Sequence, residues 1–501
     1  MPTITINDHI IEVPKETTIL EAAAQLGITI PTLCHADTKP PIGSCRICMV
    51  EDSTSGRLIP ACSALAEEGM HILTESERVR QGRRAVLELM LSEHLGDCEA
   101  PCVRACPAGL NIPLMLRTMD RGDMATAQQM ARRALLLPAT LGRVCVAPCE
   151  ARCRRAVLDD AVAIRELHGQ LGDMSTDTES LSSFKDAPSG KKVAIIGSGA
   201  AGLAAAFILT QYGHTCHVYD KAARAGGALR AYTKEELDPQ SLENDLSYLE
   251  EMGVVFFLNT EVGIAVTLQS LMSGYDTVVN ASAYDPSPEN LLFHVKKHRL
   301  PVRSVTLGKA CAEKVHAHLT EQPLQTTEVY QSILGSVSAK HIDTFVKDRV
   351  EEVTLSYPRN PQDPLQEVKR CLHCDCHKPV SCKLRDYATV YRARSKVFRN
   401  AERPPLHSVK RFNDILFDSG KCIKCGLCVE RTKDNLEPLG LSFSGRGFNM
   451  EVTVPFQESL EKALTRSGAE VVALCPTGAL AFDPLEERGS TLRAEEVTGT
   501  Q

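Results

Sequence analysis

The chain has no excess of basic residues. Its 56 Lys and Arg face 63 Asp and Glu, for a net charge of -7, so no basic patch for nucleic acid is expected. It has no apolar run approaching the ~20 residues that span a bilayer, and its N-terminus lacks the basic-then-apolar order of a secretory signal. The expected location is therefore the cytoplasm. No Ser/His/Asp constellation suggests nucleophilic catalysis. At 501 residues the chain is too long for one core, and ~150 residues per domain points to three or four units.

What it has in abundance is cysteine. Eighteen of the 20 cysteines fall into five clumps, and only Cys216 and Cys311 stand alone. In a reducing compartment close Cys spacings point to metal or catalysis rather than disulfides. Zinc competes with iron–sulfur for such thiolates, so spacing has to separate them.

Residues 1–78 open with two short β-branched strands between Thr3 and Val13. A capping box at Thr18–Glu21 and a helix stopped by Gly27 follow. Cys34, Cys45, Cys48 and Cys62 then form C-x10-C-x2-C-x13-C. This pattern resembles the β-grasp [2Fe–2S] domain that begins the large iron–sulfur subunit of complex I and some [FeFe]-hydrogenases.

Residues 79–185 read as helical. Val79, Val86, Met90 and His94 share a face at spacings of 7, 4 and 4, which points His94 inward, where a satisfied core histidine is the ordinary reading. Followed by Cys98, however, His94 resembles the histidine-ligated [4Fe–4S] motif of the same complex I subunit. From Pro101 the resemblance changes. The stretches carrying Cys102, Cys106, Cys145, Cys149 and Cys153 are similar to the N-terminal helical domain of the glutamate synthase small subunit and dihydropyrimidine dehydrogenase. That family implies two [4Fe–4S] clusters with interleaved ligands and a non-cysteine ligand at the position of His168. The implied sets are His94, Cys98, Cys102 and Cys153 for one cluster, and Cys106, Cys145, Cys149 and His168 for the other. A neutral surface histidine is the alternative for His168.

Over residues 186–325 a strand leads into Gly197-Ser-Gly199-Ala200-Ala201-Gly202, then a helix and a second strand ending at Asp220-Lys221. This is a dinucleotide fingerprint in its strand, loop, helix context. Arg224-Ala-Gly226-Gly227-Ala-Leu229 resembles the flavin loop of the glutamate synthase family and implies FAD. An empty, decayed dinucleotide fold remains the competing reading, because Val279-Asn280-Ala281-Ser282-Ala283 replaces the family's Ala-Thr-Gly turn. No second G-x-G-x-x-G follows, so a Rossmann-like FAD domain without its nicotinamide domain is expected. Cys311, on a closing helix, and Cys216, on a strand, read as core residues.

In residues 326–400, Cys371, Cys374, Cys376 and Cys382 fit one [4Fe–4S] centre better than a zinc ribbon. In residues 401–485, Cys422, Cys425 and Cys428 with Cys475 resemble a ferredoxin module that keeps one of two clusters, since Thr432 stands at the other's ligand position. A polar tail is expected at 486–501.

The whole reads as a multidomain α+β and α/β protein with a [2Fe–2S] cluster, up to four [4Fe–4S] clusters and FAD. It resembles electron-transfer subunits of cytoplasmic NAD-linked hydrogenases, formate dehydrogenases and NADH:ferredoxin oxidoreductases, some of them bifurcating. A diaphorase-like NAD(H)/FMN flavoprotein and a catalytic subunit or ferredoxin are the partners this implies. The alternative is a self-sufficient NAD(P)H-dependent reductase.

Overall fold

The computed structural model describes residues 1–36, 41–175, 185–284, 293–296, 298–324, 329–347, 349–398 and 409–482. The tail expected at 486–501 lies outside them. Two compact units emerge, and each is built from separated stretches of chain. Unit one takes 1–100, 327–352 and 372–501, and unit two takes 101–326 and 353–371.

In unit one, strands β1 (Thr3–Ile6), β2 (His9–Glu12), β3 (Met49–Asp52), β4 (Arg57–Pro60) and β5 (His71–Leu73) form a sheet in the order β2-β1-β5-β3-β4. The β1/β5 pair is parallel and the other pairs are antiparallel. Strand alternation sends Ile4 and Ile6 into a core shared with Val13, Val50 and Ile72. Ile19 and Ala22 join it from helix Ile19–Gln25. That helix starts as the sequence predicts, with Thr18 Oγ1 accepting from Glu21 N at 3.2 Å and Glu21 Oε2 accepting from Thr18 N at 2.7 Å.

Helix Glu77–Glu93 corrects the predicted face. Its buried stripe includes Val79, Arg83, Leu87 and Leu91, whereas Val86 and Met90 are only partly covered. Arg83 takes a core position because its guanidinium is satisfied there, donating to Met49 O at 2.8 Å and to Tyr391 Oη at 2.7 Å. His94 is the C-cap, with extended backbone, and does not continue the helix.

The C-terminal part of unit one is an antiparallel sheet of Val409–Phe412, Ile415–Asp418 and Leu480–Phe482. Its core includes Phe417, Val454, Leu460, Val471 and Leu480.

Unit two begins with the short helix Pro101–Ala105 and then helices Ile112–Asp120, Met124–Leu135, Pro138–Val144 and Ile164–Asp173. The last two cross closely at Gly142 and Gly169, where a Cβ on Gly142 would lie 2.4 Å from Gly169 Cα. A parallel sheet follows, made of β6 (Lys192–Ile196), β7 (Thr215–Tyr219), β8 (Val255–Phe257), β9 (Thr277–Asn280) and β10 (Phe293–His294), in the order β10-β9-β6-β7-β8. Val193–Ile196 are all buried, as expected for a central parallel strand. Helices Ala200–Gln211 and Pro301–Thr320 pack against each other. Cys216 on β7 and Cys311 on the second of these helices are both buried. Among the described residues no helix is long and apolar enough to cross a membrane.

The division at residue 100 falls inside the helical module predicted at 79–185. Backbone bonds explain it: within unit one Cys98 N donates to Ser332 O at 3.0 Å and Cys376 N to Cys98 O at 3.1 Å.

Candidate metal and nucleotide sites

Three thiol groups gather in unit one. Cys34, Cys45, Cys48 and Cys62 come together on loops beside the five-stranded sheet, with Cys45 N donating to Cys34 Sγ at 3.3 Å. A hydrogen bond from Cys45 holds the Cys34 thiol down at about 5, and one from Cys62 holds Cys48 at about 7. The donating thiols are pushed up in turn.

The second group differs from the predicted one. Cys98 lies with Cys376 and Cys382, whose charges act on one another, and burial pushes Cys98 up and Cys382 up to about 12. Ser332 N donates to Cys98 Sγ at 3.3 Å. Cys98 is thus in a different unit from Cys102 and Cys153, the thiols it was grouped with. Of the predicted foursome, Cys371 is the last residue of unit two, and Cys374, Cys376 and Cys382 lie in unit one.

The third group is Cys422, Cys425, Cys428 and Cys475, in which burial and then the neighbouring thiols push Cys422, Cys425 and Cys428 up. Backbone N–H groups point at the sulfurs, from Lys424 to Cys422 at 3.3 Å and from Leu480 to Cys475 at 3.4 Å. Thr432 is buried, and its Oγ1 donates to Val429 O and accepts from Leu441 N, each at 3.0 Å.

These groups adjoin one another. Cys34, Cys45, Cys382 and Cys425 belong to one apolar cluster with Leu33, Leu91 and Leu427. The Cys34 charge reaches Cys425, and Ser44 Oγ donates to Cys425 O at 3.4 Å.

In unit two, Cys106, Cys145 and Cys149 form a group. Burial pushes Cys145 and Cys149 up, and the Cys106 charge acts on both. Cys153 is also pushed up by burial, with Arg370 among the groups opposing that rise. Cys371 follows Arg370 directly. Among the described residues no three His, Cys, Asp or Glu side chains stand close enough for a single ion. Thiols crowded in buried places become thiolates together when a cation compensates them. Such donors fit iron, with backbone N–H groups directed at sulfur.

His168 is buried and not at the surface. Its Nδ1 is 3.3 Å from Pro138 O, at the start of helix Pro138–Val144. Full burial pushes its pKa down to about 4 from the ordinary 6.5. A depressed folded pKa means stability that is complete above pH 6.5 and lost as pH falls through about 4, a contribution of about 3 kcal/mol. His168→Gln is expected to flatten the fall in Tm between pH 7 and 4. An unchanged slope would count against this account.

The Gly-rich turn of unit two opens on a cavity of about 870 Å³. Gly197, Gly199, Ala200, Ala201, Asp220 and Lys221 line it, joined by Gly227 and Leu229. Gly226 shapes the loop behind it, donating from N to Ser198 O at 3.0 Å. Asp220 is partly committed to the protein, since its Oδ2 accepts from Ser198 N at 2.7 Å and Ser198 Oγ at 2.6 Å. The unusual Asn280–Ser282 turn is well organised, with Asn280 Oδ1 accepting from Ser282 N at 3.0 Å. The sequence reading missed Lys296, His298 and Arg299, which also line the cavity. The basic run at 296–299 was the available signal.

Residues 1–77 match the model of a 2Fe-2S iron-sulfur cluster binding domain. Residues 74–180 match dihydropyrimidine dehydrogenase domain II, 4Fe-4S cluster, and residues 195–252 match an NAD(P)-binding Rossmann-like domain. Among curated proteins the chain is similar to the NADP(+)-dependent formate dehydrogenase subunit beta of Moorella thermoacetica, at 32% identity over 219 residues, covering 38% of this chain and 30% of that one. It is similar to the glutamate synthase [NADPH] small chain of Bacillus subtilis, at 35% over 176 residues, covering 35% and 36%. It is also similar to the NADPH-Fe(3+) oxidoreductase subunit alpha of Geobacter sulfurreducens, at 44% over 109 residues, covering 22% and 12%. The chain spans about a third or less of the length of these relatives. Its homologues are oxidoreductases or oxidoreductase subunits, and the chain itself carries 2Fe-2S, 4Fe-4S and Rossmann-like domains.

Proposed function

We propose that the chain is an electron-transfer subunit of a multisubunit oxidoreductase, relaying electrons through iron–sulfur clusters and FAD. The observation that carries this reading is the meeting of three cysteine groups around one apolar cluster in unit one. Thiol groups that share a wall bring their clusters within relay distance. The mixed sheet of β1–β5 supports a β-grasp [2Fe–2S] domain for Cys34, Cys45, Cys48 and Cys62. His94 joins Cys98, Cys376 and Cys382 in one [4Fe–4S] site, and Cys422, Cys425, Cys428 and Cys475 hold another. In unit two, Cys106, Cys145 and Cys149 supply three ligands of a third. Cys102, Cys153 and Cys371 supply ligands of a fourth.

Iron–sulfur clusters supply one-electron chemistry, and a flavin can exchange an electron pair for single electrons. The chain's part is to hold them close, exclude water and tune them. The 870 Å³ cavity has the size of a cofactor site. Gly197, Gly199, Ala200, Ala201 and Gly202 would receive the pyrophosphate, and the loop Gly226–Leu229 the flavin. With no second dinucleotide fingerprint, the terminal substrates fall to partners. These are a diaphorase-like flavoprotein on one side and a hydrogenase, formate dehydrogenase or similar catalytic subunit, or ferredoxin, on the other. The formate dehydrogenase and NADPH-Fe(3+) oxidoreductase relatives support such an assembly, and a cytoplasmic setting suits it.

Anaerobically purified protein should contain iron, acid-labile sulfide and flavin together. Zinc without sulfide would sink the proposal. His94→Ala is expected to alter one [4Fe–4S] EPR signal and spare the [2Fe–2S] signal; an unaltered spectrum would remove His94 from the ligand set. The second reading, a self-sufficient NAD(P)H-dependent reductase, draws on the NAD(P)-binding domain match. Tight NADPH binding by the isolated chain would favour it.

A further inference from the structure

Unit one buries a lysine that the ligand sets do not use. Lys421 is 2% exposed, although a lysine is almost never fully buried without a partner. It directly precedes Cys422 in sequence, yet its side chain runs toward the Cys98 group. A Cβ on Gly96 would lie 2.6 Å from Lys421 Cε, so the segment between His94 and Cys98 packs directly on its stem. A Cβ on Gly478 would lie 2.3 Å from Cys376 Sγ and 3.7 Å from Lys421 Cδ. Gly478 therefore brings sulfur and lysine together beside the loop that carries Cys475.

The titratable and charged groups facing the ammonium are Cys376, Asp418, Arg349 and Asp375. Asp418 Oδ2 is 3.4 Å from Lys421 Nζ and 3.7 Å from Arg349 Nη2, and all three side chains are buried. A small cavity of about 20 Å³ beside them is lined by Gly96, Cys374, Arg349 and Lys421 among others. Lys421 and Arg349 share the Asp418 carboxylate and Asp375 also faces the ammonium, which is itself fixed beside the Cys376 sulfur.

We infer that Lys421 is a potential-setting residue for the [4Fe–4S] site of Cys98, Cys376 and Cys382, with Asp418 acting as its antagonist. The inference rests on the ligand set proposed above. One-electron reduction adds a negative charge to the site. A buried ammonium stabilises that reduced state more than the oxidised one, because low-dielectric surroundings screen it little. Removing the ammonium makes reduction harder, and removing the Asp418 carboxylate makes it easier. This opposition of sign separates an electrostatic role from a packing one.

The test is potentiometric EPR titration of anaerobically purified full-length protein, with iron and sulfide assayed on each sample. Lys421→Met is expected to change the reduction equilibrium of one [4Fe–4S] centre at least about tenfold toward the oxidised form, a negative shift of about 59 mV for a one-electron couple. Lys421→Arg should restore most of the shift, and Asp418→Asn should move the same centre positive. An unshifted potential in Lys421→Met with full iron content would overturn the inference. If Lys421→Met loses the centre, Asp418→Asn decides, and a zero or negative shift there overturns it. Absence of labile sulfide from the unaltered protein would instead refute the iron–sulfur reading on which the inference rests.

Discussion

Replacing Arg370 with methionine is expected to cost about 3–5 kcal/mol of stability in unit two and to deplete iron from the thiols beside it. Arg370 is fully buried. Its guanidinium donates to Glu367 Oε1 at 2.8 Å, Asp159 Oδ1 at 3.0 Å, Asp160 O at 2.8 Å and Tyr357 O at 3.0 Å. Glu367 is fully buried too, and it accepts from Ala163 N at 2.8 Å and Asn360 N at 2.6 Å. Methionine would leave that carboxylate without its cation and several carbonyls without donors, which is the costly way to break a buried pair. The knot also ties residues 357–371 to 159–163, and so sets Cys371 against the segment that follows Cys153. Thermal unfolding and iron content should fall together. Lysine, a point charge without the planar fork, should rescue little. A loss below about 1 kcal/mol, typical of an exposed pair, would refute the assignment.

The second large effect is expected at Gly202. A Cβ there would sit 1.9 Å from Gly197 O, on a backbone turn that cannot give way because Gly197 already adopts φ +103°. Gly202→Ala must push the helix Ala200–Gln211 off the turn, a strain at the upper end of the ~1–3 kcal/mol of overpacking. Because each 1.4 kcal/mol is tenfold in affinity, flavin retention should drop about a hundredfold. Gly308→Ala reaches the same helix from behind, since its Cβ would lie 2.1 Å from Ala201 O. Both variants should purify without flavin while the [2Fe–2S] EPR signal persists. Full flavin occupancy in Gly202→Ala would show that the cavity does not bind through this turn.

Local chemistry was legible in the sequence. The Thr18–Glu21 capping box, the strand–turn–helix around Gly197 and the buried settings of Cys216 and Cys311 all follow from short-range pattern. Thr432 stands where the ferredoxin resemblance expects a ligand, and its hydroxyl ties two backbone segments. The partners of Cys98 were not legible. Spacing reports what is near in sequence, whereas Cys98 meets Cys376 through a backbone bond between distant segments. The face of helix Glu77–Glu93 was misread because a hydrophobic count passes over Arg83, which earns a core position through its hydrogen bonds. Lys421 was hidden for the same reason, since a lysine beside a cysteine motif reads as solvated until its neighbours are seen.

The interleaving of the two units bears on how the protein is made. Cys98 leaves the ribosome early, but Cys376 and Cys382 follow only after more than half the chain has been synthesised. Closing so long a loop costs only slowly growing entropy, yet contacts this distant in sequence form late. Until then the segment around Cys98 waits as an exposed nascent thiol. Metal loading at the proposed site is therefore expected late in biogenesis, and a truncated chain ending before residue 376 should leave Cys98 open to alkylation.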